Sequence, residues 1–506
     1  MKMRQVGAML AVVIAMWLCG APAHAAWNEA RSRHFIVYSD GSAKQLQTFT
    51  ARLEKFDFLL RKLTDTLDDE PGAPVVVYTL PNAGSVARLT GRDNLAGYYR
   101  QTQRNGYAVV GRERKDGQFD LGAEEIFFHE YAHHFMLHYF PVAYPAWYVE
   151  GFAEFYSVIK FKPDDTIEFG YPPLYRAYGL VSMQPLPVAQ LFAGQTERMN
   201  AMTVDRFYGT AWLLTHMFRY KTARGDEFHK YLEETVAGKG KDAESYFAGG
   251  FKALDKELRA YMTSRMSISR MTPREVPDFP VTVAPVEPGQ AAMMMLTLRS
   301  MQPMDSDGLA RLAQEIRATA AQHPQSSYAQ TLLAEVEQAA GQPDAALAAA
   351  DRAIALDPKN ARAFGTKADI LLDRAAGTDD AAKWRAALTA IVQGNKADTE
   401  DAVPLFQFYR YHQMRGGTMP QIAYDGLNKA FALVPQHSGY RFTLAMSYAD
   451  RKKFAVAARL LDPIAFSPHA SPARDGALRL REALLRAETT GRLEQPIDIE
   501  TVRLEE

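Results

Sequence analysis

Short apolar runs at His34–Ser39 (HFIVYS) and Pro74–Leu80 (PVVVYTL) are bounded by turn residues and predict strands. Between them the period changes. Leu46, Phe49, Leu53, Phe56, Leu60 and Leu63 recur every three or four residues, which predicts a helix over Ala43–Leu67. Tyr98–Gln101 and Tyr107–Gly111 read as two more strands around the turn signal Arg104-Asn105-Gly106. The second of these is either an edge open to an extended peptide or an interior strand. From Gly122 the pattern is helical to about Met266. A small mixed sheet followed by helices predicts an α+β domain.

Residues 271–289 hold Pro273, Pro277, Pro280, Pro285 and Pro288. That density forbids a regular helix and predicts an extended linker. Beyond it the chain is alanine-rich, with a weak repeat of form A-x6-A-x4-P. Ala346, Ala353 and Pro358 recur as Ala423, Ala430 and Pro435, 77 residues on. That interval equals two periods of about 34 residues plus an insertion, placed at Gly377–Asp380. Ala445, Tyr448 and Ala457 extend the pattern. It resembles the tetratricopeptide repeat (TPR), in which small residues let paired helices approach and a proline ends the second helix. A plain alanine-rich bundle gives the same prediction of an all-helical second domain.

A chain of 506 residues needs more than one core. With 58 basic and 59 acidic residues it has no global field to attract nucleic acid. Lys2 and Arg4, an apolar Val6–Leu18 and the small residues of Ala23-His24-Ala25 predict a signal peptide over 1–25, with a membrane anchor as the other reading. The single cysteine, Cys19, falls inside that segment. A mature chain without thiols must hold any metal through His and carboxylate.

The strongest chemical signal is His129-Glu130-Tyr131-Ala132-His133, an H-E-x-x-H motif. Residues four apart on a helix share a face, so both imidazoles can reach one cation, with Glu130 beside them as a base. Residues Glu124–Tyr139 contain no Gly or Pro, and Pro141 follows. Sixteen residues separate His133 from Glu150, in Pro145-Ala-Trp-Tyr-Val-Glu150-Gly-Phe-Ala-Glu154. Pro145 can open a second helix, and Glu150 and Glu154 then lie on one face of it. Two histidines and one carboxylate leave a tetrahedral zinc one open position.

H-E-x-x-H followed by W-x-x-E-G-x-A-E resembles the signature of the gluzincin metallopeptidases. The resemblance covers about residues 27–265 and is specific only around the motif. It implies Glu150 as third ligand and Glu154 as acceptor of a hydrogen bond from a ligand histidine, the reversed assignment being the alternative. It also implies a downstream tyrosine that steadies an oxyanion. Tyr208, in Arg206-Phe-Tyr208-Gly-Thr-Ala-Trp212, is in a fitting place, with a core aromatic as the other reading. Departures exist: the spacing from His133 to Glu150 differs from that of the aminopeptidase branch, and its G-x-M-E-N segment is missing. The whole chain resembles secreted bacterial proteins that join such a core to TPR repeats.

His134 and His138 fall on other helix faces and are expected to pack or face solvent. His34 is expected to be structural, and His216 to be packing or a helper at the oxyanion. The expected organisation is a signal peptide (1–25), a gluzincin-like domain (26–270), a proline-rich linker (271–289) and a TPR-like domain (290–495). The expected function is zinc-dependent hydrolysis of a peptide or protein in the periplasm, with one zinc per chain, Glu130 as base, Tyr208 as oxyanion donor and repeats that bind substrate or partner. The alternative is a TPR scaffold whose metal domain is inactive.

Overall fold

The computed structural model describes residues 27–67, 72–92, 95–112, 122–194, 199–237, 239, 242–467 and 472–493, so the expected signal peptide lies outside the described residues. The strands are β1 (Asn28–Arg31), β2 (Phe35–Ser39), β3 (Val75–Leu80), β4 (Gly97–Gln101), β5 (Gly106–Gly111), β6 (Lys160–Phe161), β7 (Ile167–Phe169), β8 (Ser269–Met271) and β9 (Thr282–Pro285). Six of them form one mixed sheet in the order β4-β5-β3-β2-β1-β9. β2, β3 and β5 run parallel, while β1, β4 and β9 pair antiparallel with their neighbours. β6, β7 and β8 make a small second sheet.

Alternate residues of the large sheet enter two cores. Phe35, Val37, Val75, Val77, Ala108 and Val110 pack under α1 (Ala43–Leu63) and the helix that carries His129 and His133. Tyr38, Val76, Tyr78, Leu80, Tyr107 and Val109 face the other side, with Val86 of α2 (Ala83–Thr90). Coverage on both faces explains why the central strands read as apolar runs rather than as a strict alternation. β5 lies between β4 and β3, so it is an interior strand and not a free edge; the edge is β4.

On the first side lie α3 (Ala123–Tyr139), α4 (Ala146–Ser157), α5 (Val188–Ala193), α6 (Ala201–Tyr220), α7 (Thr222–Val236) and α8 (Gly250–Met262). The expectation of helix from Gly122 to about Met266 fails over 158–173. There Pro163, Pro172 and Pro173 exclude helix, and Asp165 at φ 63° turns β6 into β7.

The segment 271–289 is extended apart from a 3₁₀ turn at Pro273–Glu275 and its last two residues, which open the next helix, and it is tied down at both ends. Met271 closes β8 on Ile167, and β9 adds to the large sheet along β1, from Thr282 opposite Arg31 to Pro285 opposite Asn28. Proline is tolerated there because β9 is an outer strand. Next, α9 (Pro288–Ser300) returns over the sheet and buries Met294 and Leu298 in the second core.

The rest is a TPR-like helical repeat: α10 (Ser306–Gln322), α11 (Ser327–Ala339), α12 (Pro343–Leu356), α13 (Ala361–Ala375), α14 (Ala381–Ala397), α15 (Ala402–Arg415), α16 (Gln421–Leu433), α17 (Ser438–Asp450), α18 (Phe454–Ala465) and α19 (Pro472–Thr490). Successive helices pack as hairpins, and α13 also touches α11 and α15, forming an inner row. Ala346 and Ala353 of α12 and Ala423 and Ala430 of α16 are fully buried, which is what the repeated alanines are for. The expected insertion site, Gly377–Asp380, falls in the α13–α14 turn. None of the described helices is long and apolar enough to cross a membrane.

His437 caps α17 by accepting from the Tyr440 amide at 3.1 Å, and burial lowers its pKa to about 4. Its folded pKa lies below the unfolded value of 6.5, so the unfolded chain takes the proton first and stability falls as pH drops from 6.5 towards 4. The slope is roughly 1.4 kcal/mol per pH unit within that window. Calorimetry is expected to show Tm falling between pH 6.5 and 4.5. His437→Asn, which keeps a capping side chain, is expected to remove part of that fall.

Candidate metal centre

α3 is apolar around most of its circumference, with Phe127, Phe128, Tyr131, Ala132, Phe135 and Met136 all buried, so it sits inside the domain as a rigid rod. A buried polar network fastens it to α1. Tyr131 donates to Asp57 at 2.8 Å, and His34 joins Glu54 at 2.7 Å and Arg61 at 3.0 Å. His34, Glu54 and Asp57 are close enough to grip a cation, but the Arg61 guanidinium already lies among them. His34 is therefore structural.

α4 crosses α3 and brings Glu150 under the two imidazoles. Its neighbour Gly151 makes this possible. A Cβ there would stand 2.6 Å from the Ala211 carbonyl oxygen of α6 and would collide with Thr215 Oγ1. The missing side chain lets α4 and α6 touch, which carries Tyr208 to the same place.

The structure brings His129, His133 and Glu150 together. The two Nε2 atoms are 3.1 Å apart, and they lie 3.4 and 3.3 Å from Glu150 Oε2. Tetrahedral zinc with bonds of 2.0–2.1 Å needs donors about 3.3 Å from one another. The donor triangle has that size, so these three side chains fit such an ion. Glu150 is buried and held well below the ordinary carboxylate range: burial pushes it up, and His133 and His129 pull it down further. His129 is raised, since Glu150, Glu154 and Glu130 outweigh the effect of burial.

Glu154 lies on the Nδ1 side of His129, at 3.7 Å. That is too long for the expected hydrogen bond. Both of its oxygens are already taken: Arg176 donates from Nη2 at 2.7 Å and from Nε at 3.1 Å, and the Tyr175 hydroxyl donates at 2.8 Å. Arg176 also binds Asp205 at 2.7 Å and lies over the Tyr208 ring, 4.8 Å from its centroid. Sequence reasoning missed Arg176 and Tyr175. They sit in a 3₁₀ turn within the segment taken for helix, and no motif marks them.

Tyr208 stands beside His129, ring centroids 6.1 Å apart. Burial first, then the charges of Glu150, Glu154 and Glu130, raise its pKa against the opposing pull of Arg176, so the phenol keeps its proton and can donate it. Glu130 makes no hydrogen bond to any described residue and lies within electrostatic reach of both Tyr208 and His129.

His216, His134 and His138 have partners of their own. His216 bonds Tyr261 at 2.8 Å and the carbonyls of Gly170 and Ser267 at 3.0 and 3.1 Å, so it is a packing residue. His134 bonds Tyr99 at 2.6 Å, and burial lowers its pKa to about 3. His138 stacks on His134.

No family model and no curated protein matches this chain. Similar solved structures exist. The pilF protein of Pseudomonas aeruginosa is 18% identical over 42% of this chain and 87% of its own, with TM-score 0.32. TTC0263, a thermophilic TPR protein of Thermus thermophilus, is 17% identical over 39% and 98%, with TM-score 0.32. Yeast Tom70 is 12% identical over 74% and 72%, with TM-score 0.28.

Proposed function

We propose that this chain is a zinc hydrolase that cleaves peptide bonds. One observation carries the reading: two imidazole nitrogens and a carboxylate oxygen, on two buried helices, stand 3.1–3.4 Å apart with a further carboxylate, Glu130, next to the first histidine. When bound, the ion supplies Lewis acidity towards water and a substrate carbonyl. Glu130 takes a proton from the attacking water and hands it to the leaving amine. Tyr208 donates a hydrogen bond to the oxyanion as the carbonyl becomes tetrahedral. Arg176 lies over the Tyr208 ring and holds Glu154 by two hydrogen bonds. The resemblance of the motif to gluzincins supports a gluzincin-type peptidase, and the signal-like sequence of residues 1–25 supports a periplasmic place for it, with the repeats offering surface to a protein substrate or partner.

A second reading has the repeats as the working part, a protein-interaction scaffold with a catalytically inert metal domain. The extent of the array, from Ser306 to Thr490, favours it. Metal analysis of the purified chain and digestion of a degenerate peptide library separate the two. About one zinc per chain and cleavage that stops on chelation are expected. Zinc without cleavage leaves the scaffold, and a chain that binds no divalent ion ends the hydrolase reading.

A further inference from the structure

Repeat arrays hold ligands on the face made by their inner helices. In this chain that face is in contact with the β4–β5 turn. Arg104, at the tip of the turn, donates from Nε to the buried Asp401 at 3.0 Å. Its guanidinium lies against Gly365 of α13, where a Cβ would stand 2.5 Å from Nη2. The Gln103 carbonyl accepts from Tyr440 of α17 at 2.7 Å. Asp401 caps α15, so α13, α15 and α17 converge on a four-residue turn.

A second set of contacts leads from the array to the metal helix. Gln436, just before α17, meets His134 at 3.3 Å, and His134 follows the candidate ligand His133 directly. The opposite ring nitrogen of His134 bonds Tyr99, in the middle of β4. The Leu433 carbonyl accepts from the Ala73 amide at 2.8 Å, and a Cβ on Gly72 would crowd both that carbonyl and His138. β4, the carboxyl-terminal half of α3 and the array thus meet around one imidazole.

We infer that the inner face of the repeats has its ligand within the same chain, the Arg104 turn, and that this dock holds the His129–His133 helix in register. The repeats are then a positioning element of the metal site. An external peptide can use the inner face only by bringing its own basic side chain to Asp401 and expelling the turn.

The test uses the full chain. Arg104→Asp places a carboxylate against Asp401 and is expected to raise deuterium uptake in α3 and in the 101–106 turn. Zinc affinity, measured by chelator competition, is expected to fall about tenfold, as for other residues that orient ligands from outside the coordination sphere. Arg104→Lys, which keeps the positive charge on the turn and leaves the Asp401 cap of α15 intact, is expected to stay close to wild type in both readouts, which a general folding defect at this position would not do. Uptake in α3 that is the same in wild type, Arg104→Lys and Arg104→Asp overturns the inference. The zinc readout alone rests on the proposed function. A wild type that binds no zinc removes that reading while the exchange experiment still decides the dock.

Discussion

Glu130→Gln is expected to keep its zinc and to lose peptide cleavage by about 10²–10⁴-fold, the usual worth of a positioned general base. The exchange is nearly isosteric, and Glu130 is bonded to no described residue, so neither the fold nor the His129–His133–Glu150 triangle depends on its charge. Only proton transfer should go. Single-turnover assays at saturating peptide and metal analysis on the same preparation check it. Cleavage at the parent rate would show that Glu130 is not the base. Loss of metal along with activity would show that its carboxylate helps hold the ion.

Gly151→Ala is expected to cost about 1–3 kcal/mol of stability, as added methyl groups do in packed interiors, and to weaken metal binding as well. The new methyl would face backbone, the Ala211 carbonyl oxygen at 2.6 Å, which cannot rotate aside. α4 and α6 must separate, and Glu150 on one and Tyr208 on the other must move with them. Denaturant melts of the metal-free and zinc-loaded protein distinguish the two effects. The zinc-free midpoint falls through overpacking, and the zinc-induced gain shrinks because the triangle opens. A variant with unchanged zinc-induced stabilisation would mean that the helix contact does not set the position of Glu150.

The parts of the fold legible from the chain are those with strong local periodicity. α1 shows its buried stripe in Leu46, Leu53, Phe56 and Leu60, and the buried alanines of α12 and α16 carry the repeat. The placement of His129, His133 and Glu150 follows from helical spacing and needs no long-range information beyond the crossing of α3 and α4. Other features depend on contacts distant in sequence. β1 is four residues with nothing to mark it until β2 and β9 pair on either side. β5 reads the same whether edge or interior, since only the later pairing decides. Arg176 gains its role from Glu154, Asp205 and Tyr208, which converge from separate elements. The Arg104 turn reads as an ordinary hairpin tip because Asp401, 297 positions away, leaves no trace in its neighbourhood.

The outermost strand of the large sheet comes from the proline-rich stretch after the enclosing helices, and this limits how the polypeptide can be divided. A shortened protein ending near residue 270 would strip β9 from β1 and leave the amide and carbonyl groups of Asn28–Arg31 open to any passing strand. It would also remove Met294 and Leu298 from above Tyr78 and Val109, uncovering an oily sheet surface. The smallest soluble unit carrying the histidines therefore extends at least through Ser300, and the proline-rich stretch is a seam of the first domain.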